Sequence, residues 1–348
     1  MEKLEALSSI TRLSANVTRV LAQNPGKFTL QGTNTYLIGR QNPYTLIDTG
    51  EGKEEYIDML EKALQENVSA QSAREPDISD IIISHWHGDH VGGLPSVLSM
   101  LRRLWENRNP ESPFKPPRLH KLPIPAGRQP THEYFRLPSI LESIPSGLFA
   151  RTSSGDAFHE LQDGQHLQLS SVPLQILYTP GHTTDSIAIY LPDDRALYTA
   201  DTVLGQGTAV FEELGPYIAS LRKMKDFHSS SSGGTYDTLY PGHGPTVSNG
   251  VQLIETYIKH RLEREEQILK VLQSPPPAPS DDEPEDGSPP SWSTWTIVKN
   301  IYAAYPESLW LPATSSVNLH MGKLEQEGVV KRLGGDGVHV KWGFNARL

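Results

Sequence analysis

The chain has 348 residues, no cysteine and a formal net charge of -10. That balance argues against a broad phosphate-binding surface, and the missing thiols exclude disulfides and leave only His, Asp and Glu as metal ligands. No apolar run approaches the ~18 residues of a membrane span, and Met1-Glu2-Lys3-Leu4-Glu5-Ala6-Leu7 lacks the apolar stretch of a secretory signal, so a cytoplasmic protein is expected.

In chain order, Val17-Thr18-Arg19-Val20-Leu21 reads as a strand, followed by a turn at Asn24-Pro25-Gly26. Strands over 35–39 and 45–50 follow, the second closing on Asp48-Thr49-Gly50. That polar end is either a turn with Asx-type hydrogen bonds or support for metal ligands elsewhere. Lys53 to Glu66 is an amphipathic helix with Tyr56, Ile57, Leu60, Ala63 and Leu64 on one face. Ile81-Ile82-Ile83 is a buried strand that ends in His85, His87, Asp89 and His90 and then the pair Gly92-Gly93. His85 and His87, two apart on extended backbone, point to one side and suit one metal. Asp89 and His90 follow where the strand has ended and are free to face a second. A lone His at a strand end is usually packed or solvated, but four such groups this close are costly without a compensating cation. Leu94 to Trp105 reads as a helix, and strand, ligand loop and helix in succession suggest an α/β layered fold.

Residues 106–130 carry seven prolines and Lys115, Arg118, Lys121 and Arg128, a poor helix or interior strand that reads as an insertion or as a surface loop near the site. Residues 136–151 specify no element. Strand pattern returns over 165–204, where two apolar runs end in polar groups at His182 and Asp201, and a third ends at His243. Gly205 and Gly207 permit close approach of backbone to a ligand, without the Lys of a phosphate-binding loop. A helix covers Ala219 to Met224, and Ser229 to Gly234 reads as a flexible loop. Val251 to Leu272 is a long helix with Ile254, Ile258, Leu262, Ile268, Leu269 and Leu272 spaced for burial and His260 outside. Ser274 to Pro279 and Asp281 to Asp286 read as a stiff acidic linker or a disordered insert. From Trp292, helices over 296–304 and 315–327 and a tight hairpin of 329–333 with 338–342 suggest a winged helix. Six Lys/Arg stand against four Asp/Glu there, with no basic stripe, so a scaffold is expected rather than a nucleic-acid reader. The expected organisation is a catalytic domain over 1–250, a connecting helix over 251–273, a linker over 274–291 and a small domain over 292–348.

His85-Trp86-His87-Gly88-Asp89-His90 resembles the HxHxDH signature of the metallo-β-lactamase superfamily, and His182, Asp201 and His243 match its later metal positions in order. Asn24-Pro25-Gly26, Leu30 to Leu37, Ile47 to Gly50, Gly207 to Glu212 and His260 to Leu269 also resemble the β-lactamase-like protein 2 group. The resemblance implies a four-layer αββα fold with a small C-terminal winged-helix-like unit. It implies two zinc ions, one on His85, His87 and His182 and the other on Asp89, His90 and His243, with Asp201 between them. Asp89 would also accept a proton. It implies a metal-dependent hydrolase, with Lys27 to Gly32 and the acidic balance closer to the branch of thioesterases that release a polyketide from the acyl carrier protein of a non-reducing polyketide synthase. The other branch comprises endoribonucleases acting on single-stranded RNA. Hydrolysis of a glutathione thioester, as in glyoxalase II, fits the C-terminal tail less well, and a metal-free binding module fits poorly with seven filled ligand positions.

Overall fold

A computed structural model describes residues 4–66, 74–128, 130, 135–229, 234–277 and 291–345. Most of the expected serine loop and the acidic stretch Asp281 to Asp286 lie outside them. Contacts divide the chain into two compact units, one running through Phe211 and taking up Ala219–Glu255, the other made of Glu212–Ile218 and the chain from Thr256.

The first unit holds two sheets. Seven strands lie in chain order in one: β1 (Ile10–Arg12), β2 (Val17–Leu21), β3 (Asn34–Ile38), β4 (Tyr44–Ile47), β5 (Ile78–Ile83), β6 (Arg118–Lys121) and β7 (Phe158–Glu160). β1 to β4 are antiparallel neighbours, and β4 to β7 run parallel. The second sheet comprises β8 (His166–Leu167), β9 (Leu174–Tyr178), β10 (Ile187–Leu191), β11 (Ala196–Ala200) and β12 (Thr238–Pro241), with β11 and β12 parallel.

Alternation along the strands builds the layers. Leu46, Ile81 and Ile83 pack against Tyr56, Leu60 and Leu64 of α1 (Glu54–Gln65), with Val97, Leu98 and Leu101 of α3 (Leu94–Arg108) in the same core. Between these two helices in sequence lies α2, a single turn over Gly88–Val91. Ile47 and Ile82 point the other way, into a second core shared with Ile176, Ile187, Ile189 and Tyr198 of the second sheet. The uninterrupted Ile81-Ile82-Ile83 run is thus a strand buried on both faces, as parallel strands are. α4 (Leu137–Ser143) adds its buried Leu137 to the first core. The far face of the second sheet leaves Leu177, Ala188, Leu197 and Leu239 buried, and α5 (Leu214–Ser229) is tied there by Lys223 Nζ donating to the Tyr178 carbonyl at 2.9 Å. The layering is αββα. No helix among the described residues is long and apolar enough to cross a membrane.

Three expectations fail here for physical reasons. The 106–130 segment is neither insertion nor loop throughout, because Arg118–Lys121 is an interior strand between β5 and β7. Its prolines, Pro116, Pro117, Pro123 and Pro125, flank the four residues that pair, so none removes a ladder donor. Leu262, spaced for burial on α6 (Gly250–Leu272), is 36% exposed. The third correction is the shape of the C-terminal hairpin, described next.

The second unit contains β13 (Trp292–Ser293), α7 (Thr294–Ile301), α8 (Trp310–Gln326), β14 (Val330–Gly334) and β15 (Lys341–Phe344), the sheet running β13-β15-β14. Ser293 caps α7, its hydroxyl accepting from the Thr296 amide while Thr296 reaches back to the Ser293 amide. Ile268, Val271 and Leu272 of α6 share a core with Ile297, Val317, Met321 and Trp342. The hairpin does not close tightly: Gly337–His339 is a turn of 3-10 helix, and the second strand starts at Lys341 rather than at 338.

One polar group sits badly in that core. His320 is fully buried on α8, and neither ring nitrogen has a hydrogen-bond partner. Its Nδ1 lies 3.8 Å from Glu265, which is itself paired with Lys323 at 2.9 Å. Burial lowers the imidazole pKa, outweighing the attraction of Glu265, and Arg261 and Arg264 push it the same way. A depressed folded-state pKa means that, below the ordinary value of about 6.5, the unfolded chain takes up a proton the folded chain refuses. We predict that stability of this unit falls as pH drops through that value and that His320→Met flattens the slope. Denaturant melts followed by tryptophan fluorescence at several pH values test this, and equal slopes in parent and variant would refute it.

Candidate metal centre

The site forms where strand ends from both sheets meet. β5 delivers Ser84 and His85 directly, and the chain then turns through His87 into α2, whose first turn is made by the His90 and Val91 amides donating to the His87 carbonyl at 3.0 and 3.1 Å. That turn is pressed against the end of β4: the Thr49 amide donates to the His90 carbonyl at 2.8 Å. A Cβ on Gly93 would stand 2.0 Å from the Thr49 carbonyl oxygen, so only glycine allows this approach.

The second sheet supplies the rest. His182 lies in the loop after β9, Asp201 directly follows β11, and His243 follows β12. The parallel β11–β12 pairing sets Asp201 and His243 side by side. A Cβ on Gly242 would fall 2.1 Å from Asp201 Oδ1, which fixes glycine there. Asn34 of β3 brackets His243, its side-chain amide donating to the Pro241 and Gly244 carbonyls at 2.9 Å each.

All seven residues singled out in the sequence come together. His85, His87, His182 and Asp201 form one group and Asp89, His90 and His243 another, each with ligand atoms within 4.8 Å of one another. His85 Nε2, His87 Nδ1 and His182 Nε2 stand 3.0 to 3.3 Å apart. Asp201 faces both groups, with an oxygen 3.7 Å from His182 Nε2, 3.0 Å from His243 Nε2 and 3.3 Å from His90 Nε2.

The surroundings settle which ring nitrogens are lone pairs. His182 Nδ1 donates to the Val210 carbonyl at 2.7 Å, which can only accept. His90 Nδ1 donates to Asp48 Oδ2 at 2.7 Å. Ser84 Oγ gives its proton to Asp48 Oδ2 at 2.7 Å and so accepts from His85 Nδ1 at 2.9 Å. The Nε2 atoms of His85, His90 and His182 are thereby turned inward as acceptors. Convergent lone pairs at such spacing repel unless a cation lies among them. Asp201 Oδ1 is also buried without a hydrogen-bond partner. Three imidazoles and a carboxylate beside two imidazoles and a carboxylate, with no thiolate, fit divalent ions of the zinc type.

Without metal the same crowd divides its protons. Burial, reinforced by its histidine neighbours, drives His85 well below the usual imidazole range and His87 down to about 3. Burial opposes charge on His90 and His243 too. There the carboxylates win: Asp89, Asp201 and Asp48 hold His90 well up, and Asp201 with Asp89 lifts His243 to about 9. Asp89 and Asp201 stay ionised despite burial because His90 and His243 face them.

Several supporting residues carry no motif of their own. Asp48 was legible as a polar strand end. Ser84, Asn34, Thr33 and Tyr198 were not, because their roles depend on partners up to 210 positions away, as with Asn34 and Gly244. At Gly205 the close approach is of backbone to backbone: its amide donates to the His243 carbonyl at 2.9 Å, and a Cβ would meet the Pro245 oxygen at 2.0 Å.

Since His243 and His90 hold protons at neutral pH when the site is empty, metal uptake must expel them. We predict release of between one and two protons per chain on zinc loading near pH 7.5, about the two raised histidines. Calorimetric titration in buffers of different ionisation enthalpy measures it, and buffer-independent heats would overturn the assignment.

Comparison with known proteins agrees with this geometry. Residues 28–243 match the model of the metallo-beta-lactamase superfamily, and residues 293–342 that of a beta-lactamase associated winged helix domain. A beta-lactamase-like protein 2 homolog of Caenorhabditis elegans is 33% identical over 332 residues, covering 95% of this chain and 91% of its own. An atrochrysone carboxyl ACP thioesterase of Aspergillus novofumigatus is 31% identical over 270 residues, covering 78% of this chain and 67% of its own. A solved beta-lactamase domain protein from Burkholderia ambifaria superposes with a TM-score of 0.65 at 15% identity, covering 99% of this chain and 96% of that one. The fold, the superfamily match over most of the large unit and the near full-length relatives together place the chain: it belongs to the metallo-beta-lactamase superfamily and is a metal-dependent hydrolase of that family.

Proposed function

We propose that the protein is a two-zinc thioesterase that frees an apolar acyl group, of the polyketide kind, from an acyl carrier protein in secondary metabolite biosynthesis. His85, His87 and His182 would hold one ion, Asp89, His90 and His243 the other, with Asp201 reaching both. When bound, the ions supply Lewis acidity and a water acidic enough to ionise near neutral pH.

The chain's own groups supply the rest. Thr33 Oγ1 donates to Asp89 Oδ2 at 3.0 Å, which fixes the carboxylate's orientation, and Asp89 is placed to accept the proton of the attacking water. The hydroxide oxygen bonds to the thioester carbonyl carbon, the C–S bond breaks, and the sulfur leaves as thiolate. A thiol pKa of about 8.5 makes that departure feasible without a strong general acid.

The observation that carries the substrate class is the rim. Phe28 and Val210 are 69% and 62% exposed, the two most exposed large apolar side chains of the first unit among the described residues. Each rides a loop fastened to the centre. Val210 offers its carbonyl to His182. Phe28 tips a loop closed by the Gly26–Leu30 bridge and by Asn24, whose side chain accepts from the Thr33 amide and donates to the Thr33 hydroxyl. Apolar lips on pinned loops suit an acyl body better than a polyanion. Relatives named as acyl-carrier-protein thioesterases, at 30 to 31% identity, support the same reading.

A second reading is hydrolysis of single-stranded RNA, favoured by the C-terminal winged-helix match and by near full-length likeness to the beta-lactamase-like protein 2 homologs. Offering zinc-loaded protein an acyl-carrier-protein thioester and single-stranded RNA side by side separates the two. Thioester turnover with intact RNA is expected, and the reverse result would sink the thioesterase proposal. His87→Ala and Asp201→Ala should reduce turnover to background while leaving the circular dichroism spectrum unchanged. Phe28→Ser should raise KM for a long acyl chain about tenfold, the worth of roughly 1.4 kcal/mol of lost apolar contact, and leave kcat largely alone.

A further inference from the structure

A buried ion pair lies beside the site and belongs to neither ligand group. Lys121, the last residue of β6, and Asp185, in the loop between β9 and β10, are both buried and hydrogen-bonded to each other, Lys121 Nζ donating to Asp185 Oδ2. Lys121 also donates to the Leu122 carbonyl at 3.3 Å. Asp185 Oδ1 accepts from Thr183 Oγ1 at 2.7 Å, and Thr183 adjoins His182. The loop then closes on itself. The Thr183 amide donates to Ser186 Oγ at 3.1 Å, the Gly181 amide donates to the Thr183 carbonyl at 3.0 Å, and the Ile187 amide donates to the Ser84 carbonyl at 3.2 Å.

A dry Lys–Asp pair is a poor source of stability, since desolvating both charges offsets most of their attraction and an apolar pair of similar volume often folds as well. What this pair does hold is geometry. It anchors the His182 loop, which comes from the second sheet, to a strand of the first sheet, three residues from His182 and through two hydrogen bonds.

We propose that Lys121 is a positioning residue for His182, acting through Asp185 and Thr183, and that it sets affinity at the metal position of His85, His87 and His182 without setting affinity at the other. The inference rests on the reading of these histidines as one ligand set. Groups that orient a metal ligand are commonly worth 10–100-fold in affinity.

The test is a competitive zinc titration of the full chain against a chromophoric chelator, with thermal melts alongside. The parent should fill two positions. Lys121→Met/Asp185→Leu removes both charges together, avoiding a stranded buried carboxylate. It should melt close to the parent, bind zinc about 10–100-fold more weakly at one position and keep parental affinity at the other. Thr183→Val, which leaves the ion pair in place and removes its hydrogen bond to the residue beside His182, should give the same selective loss should the double variant fail to fold. Two parental affinities in a folded double variant, or in Thr183→Val, overturn the proposal, as does an equal loss at both positions. A parent that takes up no zinc overturns the ligand reading and the positioning role with it, whereas two-site uptake by the parent with no selective change in the variants overturns the positioning role alone.

Discussion

Everything at the centre hangs on the carboxylate of Asp48. It is wholly buried at the end of β4, with φ of 60°, and it accepts four hydrogen bonds: from the Ser84 amide and hydroxyl, from His90 Nδ1 and from the hydroxyl of Tyr198. Those donors come from β5, α2 and β11, so one side chain ties the two sheets to each other and to both candidate ligand groups. Such a carboxylate would be costly to bury alone. Here its satisfaction fixes the tautomers of His85 and His90 at the same time, one through Ser84 and one directly. The inter-sheet core holds the Tyr198 ring where this requires, edge-on to Tyr36 with centroids 5.5 Å apart, while Tyr36 stacks on Tyr240 beside the strand end that leads to His243.

How much of this the residues announce depends on whether the information is local. The His85 to His90 cluster is legible because the strand, its termination and its ligands lie within ten positions. His182, Asp201 and His243 were each weak alone and became informative as repeats of one pattern, an apolar run ending in a lone polar group beside Gly, Pro or Thr. Lys121 shows the opposite case. Its strand is four residues long between proline pairs, so composition pointed away from a strand that its neighbours β5 and β7 create by pairing on both edges. A tertiary context that overrides propensity leaves no trace in a short window. The C-terminal hairpin departs from a tight turn for a related reason: Gly334, Gly335 and Gly337 all take positive φ and make a wider loop than a two-residue turn.

The acidity of the chain takes a particular form at the site. Asp48, Asp89 and Asp201 bring three carboxylates into a volume that five imidazoles also occupy, and the network among them is balanced only by protons or by cations. Protons and metal therefore compete for the same atoms, and the metal-free chain relieves the crowding by charging the two histidines that face carboxylates while keeping His85 and His87 neutral. This asymmetry gives the two candidate positions different characters. The first position presents His85 and His87 already free of protons, and the second has to shed the protons of His90 and His243 first.

Substrate choice is a separate layer from this chemistry. The cluster of candidate ligands is built on strand ends locked by glycines at positions 93, 205 and 242, where any side chain would collide with backbone or with Asp201. Such a cluster can vary little without losing its geometry, so discrimination has to reside in what surrounds it. The loops bearing Phe28 and Val210 have that freedom at their tips and none at their bases. Thr33 closes the first loop while touching Asp89, and the Val210 main-chain carbonyl holds the second against His182 Nδ1. Under the proposed function, a change at either exposed side chain would alter what is admitted, whereas a change at the Thr33 hydroxyl or the Val210 carbonyl would reach Asp89 or His182. Evolving a new substrate on this scaffold is therefore physically easier than evolving a new reaction, since one unchanged set of seven residues could serve an acyl thioester or a phosphodiester according to the loops around it.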